Sequence, residues 1–368
     1  MSEVLILKTA ALGDVLRTTS ILPGLQATLP ETRITWVTAP GAVDLVRTHP
    51  LVAEVVAVDA RDPASIAAAG ARLARTRWTR VISLDDERPL CALAAGLDAE
   101  QLSGATLDAA GQRVYTPDVA PWFDMGLLSV HGKQRADELK LRNTRSHPAI
   151  YADMLGIPLG KPALHLPAEA RATADAFARR HGLDRRRPLV GLNTGAGGRW
   201  VSKQLSPERT VELARQLARE LPPSAAFLVL GGADEAGRNA QILAGLAAAG
   251  LGERAIDAGT HNPLLEFAAL VALVDLLVTS DSLALHVSVA LGRPVVAFFA
   301  PTSAAEIELY GLGEKVLSTA SDYCSYRPDA RNDSITPERL TAAALRVLGA
   351  ARGGFKSGAG SPTLPGPG

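Results

Sequence analysis

The stretch TSDSLALHVSVALGRPVVAFFAP, residues 279–301, restricts the fold more than any other part of the chain. An apolar run, LLVT, ends at Ser280-Asp281-Ser282, a helical stretch bearing His286 follows, and a second apolar run, VVAFFA, comes next. Short, unbroken apolar runs joined through a helix predict neighbouring strands of a buried parallel sheet. Asp281, Ser282 and the helix start then lie at the carboxyl edge of that sheet. Ligands bind at this edge in open α/β folds, and free backbone N–H groups there favour anions such as phosphate. Asp281 and Ser282 are also good N-cap residues, so a plain capped helix explains them equally well. His286 stands one turn into the helix near the same edge, which capping alone does not explain.

The alternation extends through the whole chain. VLILK (4–8), RITWVTA (33–39), AEVVAVD (53–59) and RVISLDD (80–86) read as strands, with helices over about 14–28 and 63–77. The second half repeats the pattern in LVGLNTG (189–195), AAFLVLGG (225–232), RAIDAG (254–259), DLLVTSD (275–281) and PVVAFFA (294–300). Helices fall between these runs: 169–181; 206–220, where Val211, Leu213, Ala214, Leu217 and Ala218 keep helical spacing; and 336–352, which carries Pro337 at its first position. Residues 108–150 break the rhythm with WFDMGLL and a charged, helical stretch, KQRADELKLRNTRSH. LGIPLGKPALHL (155–166) reads as a connection between domains. With 368 residues, about twice the usual domain length, the chain is expected to form two Rossmann-like α/β domains facing across a cleft. The N-terminal one spans 1–160 and the C-terminal one 161–352, and 353–368 form a flexible tail.

Composition excludes several classes of function. Lys plus Arg and Asp plus Glu both number 38, so no overall field draws the chain to nucleic acid or to a membrane surface. The two cysteines, Cys91 and Cys324, are too few for a disulfide framework or a structural zinc site. The N-terminus opens directly on a strand without a signal segment, and no apolar run reaches transmembrane length. A cytoplasmic protein with at most peripheral membrane contact is expected.

Three further segments carry residue types suited to chemistry. In KTAALGDVLRTTSILPGL (8–25), Gly13 permits a sharp turn and Asp14 stands at or near a helix start. Asp14 is explained by capping, or equally by a cleft-facing carboxylate that takes a proton from a hydroxyl. The single glycine rules out a dinucleotide fingerprint. In NTGAGGRWVSKQLSPE (193–208), Gly195, Gly197 and Gly198 let backbone approach a ligand. Arg199 and Lys203 add positive charge there, and Thr194 and Ser202 add hydroxyls; a solvated basic loop is the plainer reading. In LGGADEAGRNAQI (230–242), Asp234 and Glu235 suit ribose hydroxyls, or simply an acidic first helical turn. Lys133, Arg135, Lys140, Arg142, Arg145 and His147 offer charge to an anionic acceptor, although interleaved Asp137 and Glu138 fit a solvated helix face. No Asp-x-Asp metal motif is evident.

Together these segments resemble glycosyltransferase family 9, whose best-known members are the ADP-heptose:lipopolysaccharide heptosyltransferases. KTAALGDVLRTTSILPGLQATLP resembles the family's K-x-x-x-x-G-D-V-L opening. NTGAGGRWVSKQLSPERTVELA resembles its N-x-G-A-x-x-x-x-K-x-W-x-x-E segment, and SDSLALHVSVALGRPVVAFFAPTS its D-T-G-x-x-H segment. The resemblance implies a GT-B fold, Asp14 as catalytic base, and Lys203 on the donor diphosphate. Asp281, Ser282 and His286 would line the donor site. Three departures bear on substrate: Leu283 stands where the family has glycine, Leu205 where it has tryptophan, and Ala300 where it has glycine before Pro301-Thr302. The resemblance thus implies a divergent branch and an inverting, metal-independent transfer with no cofactor. The donor is a nucleotide-diphosphate sugar, expected to be ADP-heptose. The acceptor is a sugar-containing hydroxyl compound, anionic if the basic stretch contributes, such as lipopolysaccharide inner core. Two alternatives stay open: the same chemistry on a natural-product or protein acceptor, and a non-catalytic nucleotide-sugar binding protein.

Overall fold

The computed structural model describes residues 1–29, 31–126, 131–183, 187–197 and 200–354. Among the described residues the strands form two sheets of six. The first comprises β1 (Ser2–Leu7), β2 (Thr32–Thr38), β3 (Glu54–Ala57), β4 (Trp78–Ser83), β5 (Ala99–Leu107) and β6 (Arg113–Tyr115). The second comprises β7 (Leu189–Asn193), β8 (Ala226–Val229), β9 (Ala255–Asp257), β10 (Leu276–Ser280), β11 (Val295–Phe299) and β12 (Gly313–Leu317). The spatial orders are β3-β2-β1-β4-β5-β6 and β12-β11-β10-β7-β8-β9. Read from the other edge, the second order equals the first, so the chain folds the same Rossmann-like topology twice. The order of strand addition reverses between β1 and β4 and between β7 and β10, and the crevice beside such a switch is where an open α/β sheet takes ligands. The molecule is a GT-B fold.

Every pairing is parallel except β5 with β6, which is antiparallel. Parallel sheets are covered on both faces, and strand periodicity sorts the side chains. In β1, Val4 and Ile6 enter the core lying between the two halves, whereas Leu5 and Leu7 enter the outer core of the first half. In β10, Leu277 faces the shared core while Leu276 and Val278 face the outer core of the second half. The last helix, Pro337–Gly354, completes that outer core with Leu340, Ala343, Ala344, Val347 and Leu348, an unbroken helical stripe. Residues 157–167 carry no regular structure and link the helix His147–Leu155 to the helix Ala168–Arg180.

Four expectations need correction. The helix expected over 14–28 is two helices, Leu12–Thr18 and Ile21–Thr28. Pro23 supplies no N–H and its ring opposes the carbonyl four residues back, so the backbone tightens to three-residue bonds at Thr19, Ser20 and Leu22. β5, β6 and β12 were missed because AEQLSGATL, RVY and GEKVL are too polar or too short to read as apolar runs. All three lie at or next to a sheet edge, where one-sided burial suffices. The N-cap readings also change. Asp14 is the third residue of its helix, with Ala11 at the N-cap. Asp281 precedes the N-cap, and the Ser282 hydroxyl makes no capping bond.

Candidate functional site

The helices Leu12–Thr18 and Leu283–Ala290 start at the carboxyl edges of β1 and β10 and pack against each other across the two halves. Gly13 allows this approach: a Cβ there would lie 2.4 Å from Cδ2 of His286. Beside this contact opens a cavity of about 840 Å³, within the range of small-molecule sites. The first half contributes Asp14, Arg17, Trp122, Met125, Lys140 and His147 to its wall. The second contributes Gly195, Lys203, Glu235, Phe267, Asp281 and Glu306, among others.

Asp14 lies between cations. Its Oδ1 accepts from Arg17 Nη2 at 2.5 Å, and its Oδ2 accepts from the Ala11 N–H at 3.4 Å. Burial alone would raise its pKa, but Arg17 and then Lys8 outweigh that and hold the carboxyl well below the ordinary range. Lys8 itself is buried, paired with Asp85, whose other oxygen accepts from the Thr9 N–H and, at 2.7 Å, from the Thr9 hydroxyl. Asp85 therefore pins the turn that delivers Asp14.

Across the cavity Lys203 donates to Asp281 Oδ2 at 2.9 Å and to the Asp281 carbonyl at 3.0 Å. Thr302 donates to the same carboxylate oxygen at 2.7 Å. Burial opposes the charge on Asp281, yet Lys203 leads the opposing effects and brings its pKa to about 2. The pKa of His286 is lowered as well, to about 4, first by burial and then by Arg17, so it is neutral at pH 7. Ser282 faces Asn193 Nδ2 at 3.4 Å and Thr279 Oγ1 at 3.2 Å. With no side chain capping it, the helix Leu283–Ala290 presents its N-terminal amides at the cavity wall.

Glu235 ties two glycine loops together. Its Oε1 accepts from the Gly197 N–H at 2.5 Å and its Oε2 from the Gly232 N–H at 2.8 Å. A Cβ at Gly195 would stand 2.5 Å from Glu235 Cγ, so this glycine makes room for a side chain as well as for any ligand. Asp234 points to solvent. Thr194 and Ser202 do not reach the cavity. Thr194 is buried, with its hydroxyl 2.9 Å from that of Thr210 and accepting from Arg238 at 2.8 Å. Ser202 donates to the Arg327 carbonyl at 3.2 Å. Arg199 lies outside the described residues. Of the predicted site residues, the structure thus brings together Asp14, Lys203, Gly195, Glu235, Asp281, Ser282 and His286.

Of the basic stretch, only Lys140 and His147 reach the wall. Lys133 and Arg135 pair with Asp137 and Glu138 on the solvent face, Arg145 pairs with Asp153, and Arg142 is exposed. Lys140 lies 4.3 Å above the Tyr326 ring. His147 is 3.2 Å from Glu306 through Nε2, and its backbone N–H donates to the Glu306 carbonyl at 2.9 Å, so one residue pair fastens the two halves. Burial and then Arg17 lower the pKa of His147, against the pull of the Glu306 carboxylate. Tyr326 donates to the other Glu306 oxygen at 2.9 Å. Tyr310, Cys324 and Tyr326 hold φ of 52°, 61° and 53°, a costly region for side-chain-bearing residues that concentrates at functional sites. Sequence reading missed Arg17, Trp122, Glu306 and Tyr326. Arg17 had a signal, since it stands one helical turn after Asp14; the two irregular segments that bear Glu306 and Tyr326, before and after β12, have no periodicity to read.

The family model described as glycosyltransferase family 9 (heptosyltransferase) matches residues 129–333. No curated protein matches the sequence. Among solved structures, a glycosyl transferase family 9 protein from Veillonella parvula is 21% identical with a TM-score of 0.77, over 95% of this chain and 98% of that one. E. coli ADP-heptose lps heptosyltransferase II is 19% identical with a TM-score of 0.66, over 96% and 100%. E. coli heptosyltransferase WaaC, solved with ADP-2-deoxy-2-fluoro heptose, is 18% identical with a TM-score of 0.59, over 95% and 99%.

Proposed function

The chain belongs to glycosyltransferase family 9, and from that premise we propose that it moves a heptose or related sugar from a nucleotide-diphosphate donor, ADP-heptose, to an acceptor hydroxyl with inversion. Residues 161–352 hold the donor and residues 1–160 the acceptor. The observation that carries this reading is the opposition of Asp14 and Lys203 within one cavity, each on its own sheet's carboxyl edge. Leu264 and Phe267 offer an apolar wall to a base, and Glu235 an acceptor to ribose hydroxyls. Its carboxylate has lone pairs to spare beyond its two backbone bonds.

Lys203 and the amides at Ser282 take the charge that grows on the leaving diphosphate, a task a divalent ion performs elsewhere. Asp14 takes the proton of the acceptor hydroxyl as that oxygen attacks the anomeric carbon. The bond from that carbon to the phosphate oxygen breaks, and its electron pair leaves with the diphosphate. Trp122, Met125, Lys140 and His147 form the acceptor wall, with Lys140 facing any anionic substituent of a sugar acceptor such as lipopolysaccharide inner core. Among the described residues no helix is long and apolar enough to cross a membrane, and we place the enzyme in the cytoplasm with peripheral membrane contact at most.

Calorimetric titration with ADP, UDP, GDP and ADP-heptose tests the donor. Preference for ADP and ADP-heptose is expected, and preference for UDP or GDP discards heptose. Asp14→Ala is expected to abolish sugar transfer while ADP-heptose still binds. Loss of donor binding in that variant, with normal folding, refutes the base assignment.

A further inference from the structure

The cavity wall carries four carboxylates, Asp14, Glu235, Asp281 and Glu306, and a nucleotide-sugar donor adds a diphosphate. Three of the four are engaged by groups on the second half or bridging to it: Glu235 by backbone amides, Asp281 by Lys203 and Thr302, and Glu306 by Tyr326 and His147. Asp14 depends on its own helix. Arg17 stands one turn later, its side chain 8% exposed against 38% for Asp14, with Nη2 2.5 Å from Oδ1. Nε of Arg17 is buried without a partner, and among the described residues the guanidinium makes no hydrogen bond other than that to Asp14. Lys8, the other buried cation nearby, is taken up by Asp85. The ammonium of Lys8 thus acts on Asp14 only through space, whereas Arg17 touches it.

We infer that Arg17 is the positioning residue of Asp14: it aligns the carboxylate at the cavity and keeps it charged while donor and acceptor bring in further negative charge. The inference rests on the base assignment above. Like charges gathered in one site raise a carboxylate's pKa, so without a cation in contact Asp14 would meet the acceptor partly protonated and unable to accept. A strongly basic carboxylate is not needed. The acceptor's O–H proton becomes steeply more acidic as its oxygen donates electrons to the anomeric carbon, so an ionised, aligned and weakly basic carboxylate suffices. Arg17 supplies ionisation and alignment at the expense of basicity, which the reaction itself makes dispensable. The guanidinium stays protonated throughout, and the transferred proton ends on Asp14.

The test follows Asp14 directly. Full-length protein with ¹³C-labelled Asp carboxyls is titrated by NMR, free and saturated with ADP, and the Asp14 signal is identified by its absence in Asp14→Asn. In the wild type this signal is expected to stay in its ionised position down to about pH 3. In Arg17→Gln it should titrate in or above the ordinary carboxylate range, more so with ADP bound, and in Arg17→Lys it should fall between the two. ADP affinity in Arg17→Gln is expected to stay within about threefold of the wild type, less than 1 kcal/mol. The rate of ADP release from ADP-heptose with acceptor should gain an acid limb matching the new titration. An unchanged Asp14 titration in Arg17→Gln overturns the inference alone. So does a tenfold or greater loss of ADP affinity, about 1.4 kcal/mol, which would make Arg17 a phosphate ligand instead. Full transfer activity in Asp14→Asn overturns the base assignment, and this inference with it.

Discussion

Replacing Lys203 by alanine separates the role proposed for its ammonium on the donor diphosphate from its observed pairing with Asp281. Lys203 is 18% and Asp281 15% exposed in their ion pair, so the charge sits between bulk water and a dry interior. A charge pair about 4 Å apart gains about 4 kcal/mol at an effective dielectric constant near 20 and about 1 kcal/mol in water. Taking the middle, losing Lys203 should weaken ADP binding by about 2 kcal/mol, roughly 30-fold. The same change strands Asp281 with only the Thr302 hydroxyl. Breaking a fully buried pair costs about 3–5 kcal/mol; here, with the pair open to a cavity, a loss of about 1–2 kcal/mol of stability is expected. Calorimetric titration with ADP at fixed ionic strength reads the first effect, and thermal unfolding of the same samples reads the second. The double variant Lys203→Ala/Asp281→Asn decides between them. If Lys203 touches phosphate, the second change recovers stability and leaves ADP binding weak. Wild-type ADP affinity in the double variant would show that Lys203→Ala had merely exposed a repulsive carboxylate, and would refute the phosphate assignment.

Gly13→Ala should gain roughly 1 kcal/mol of helix propensity and lose about 1–3 kcal/mol by overpacking His286. Thermal unfolding should show a small net loss that adding His286→Ala abolishes; additive losses would refute the contact. Acid should destabilise the protein through His286. Unfolded, it binds a proton near its ordinary pKa of 6.5; folded, it resists until about 4. Stability therefore falls as pH drops through that interval, by roughly 3 kcal/mol at most. His286→Phe should flatten unfolding midpoints between these pH values, with His49, lowered to about 4 mainly by burial, and His147, also lowered by burial, left as the background. A proposal of metal-independent transfer predicts that EDTA leaves the turnover of ADP-heptose unchanged, whereas a loss restored by Mg²⁺ or Mn²⁺ would refute it.

Much of this protein is legible in one dimension because the signals are local. An apolar strand such as Val4–Leu7 is buried on both faces wherever it lies in a parallel sheet, so its run of side chains announces it. The strand-turn-helix junctions at Asp14, Lys203 and Asp281 likewise carry their motifs within a few residues of each other. The topology places all of them at carboxyl edges without further instruction. What a local reading cannot supply is partnership across the fold. Asp14 and Asp281 looked like helix caps, but one belongs to Arg17 and the other to Lys203, 78 residues away. Thr194 offered a hydroxyl to a ligand, but that hydroxyl is committed to Thr210 and Arg238. Glu306 and Tyr326 carry no pattern at all, because the irregular segments on either side of β12 have no period, and only packing of Glu306 against His147 and of Tyr326 against Lys140 brings them to the cavity. Sequence by itself determined the two repeated sheets and the edges where chemistry gathers. Only tertiary structure decided which charges meet there, since contact strength depends on ångström-scale separation and burial and not on distance along the chain.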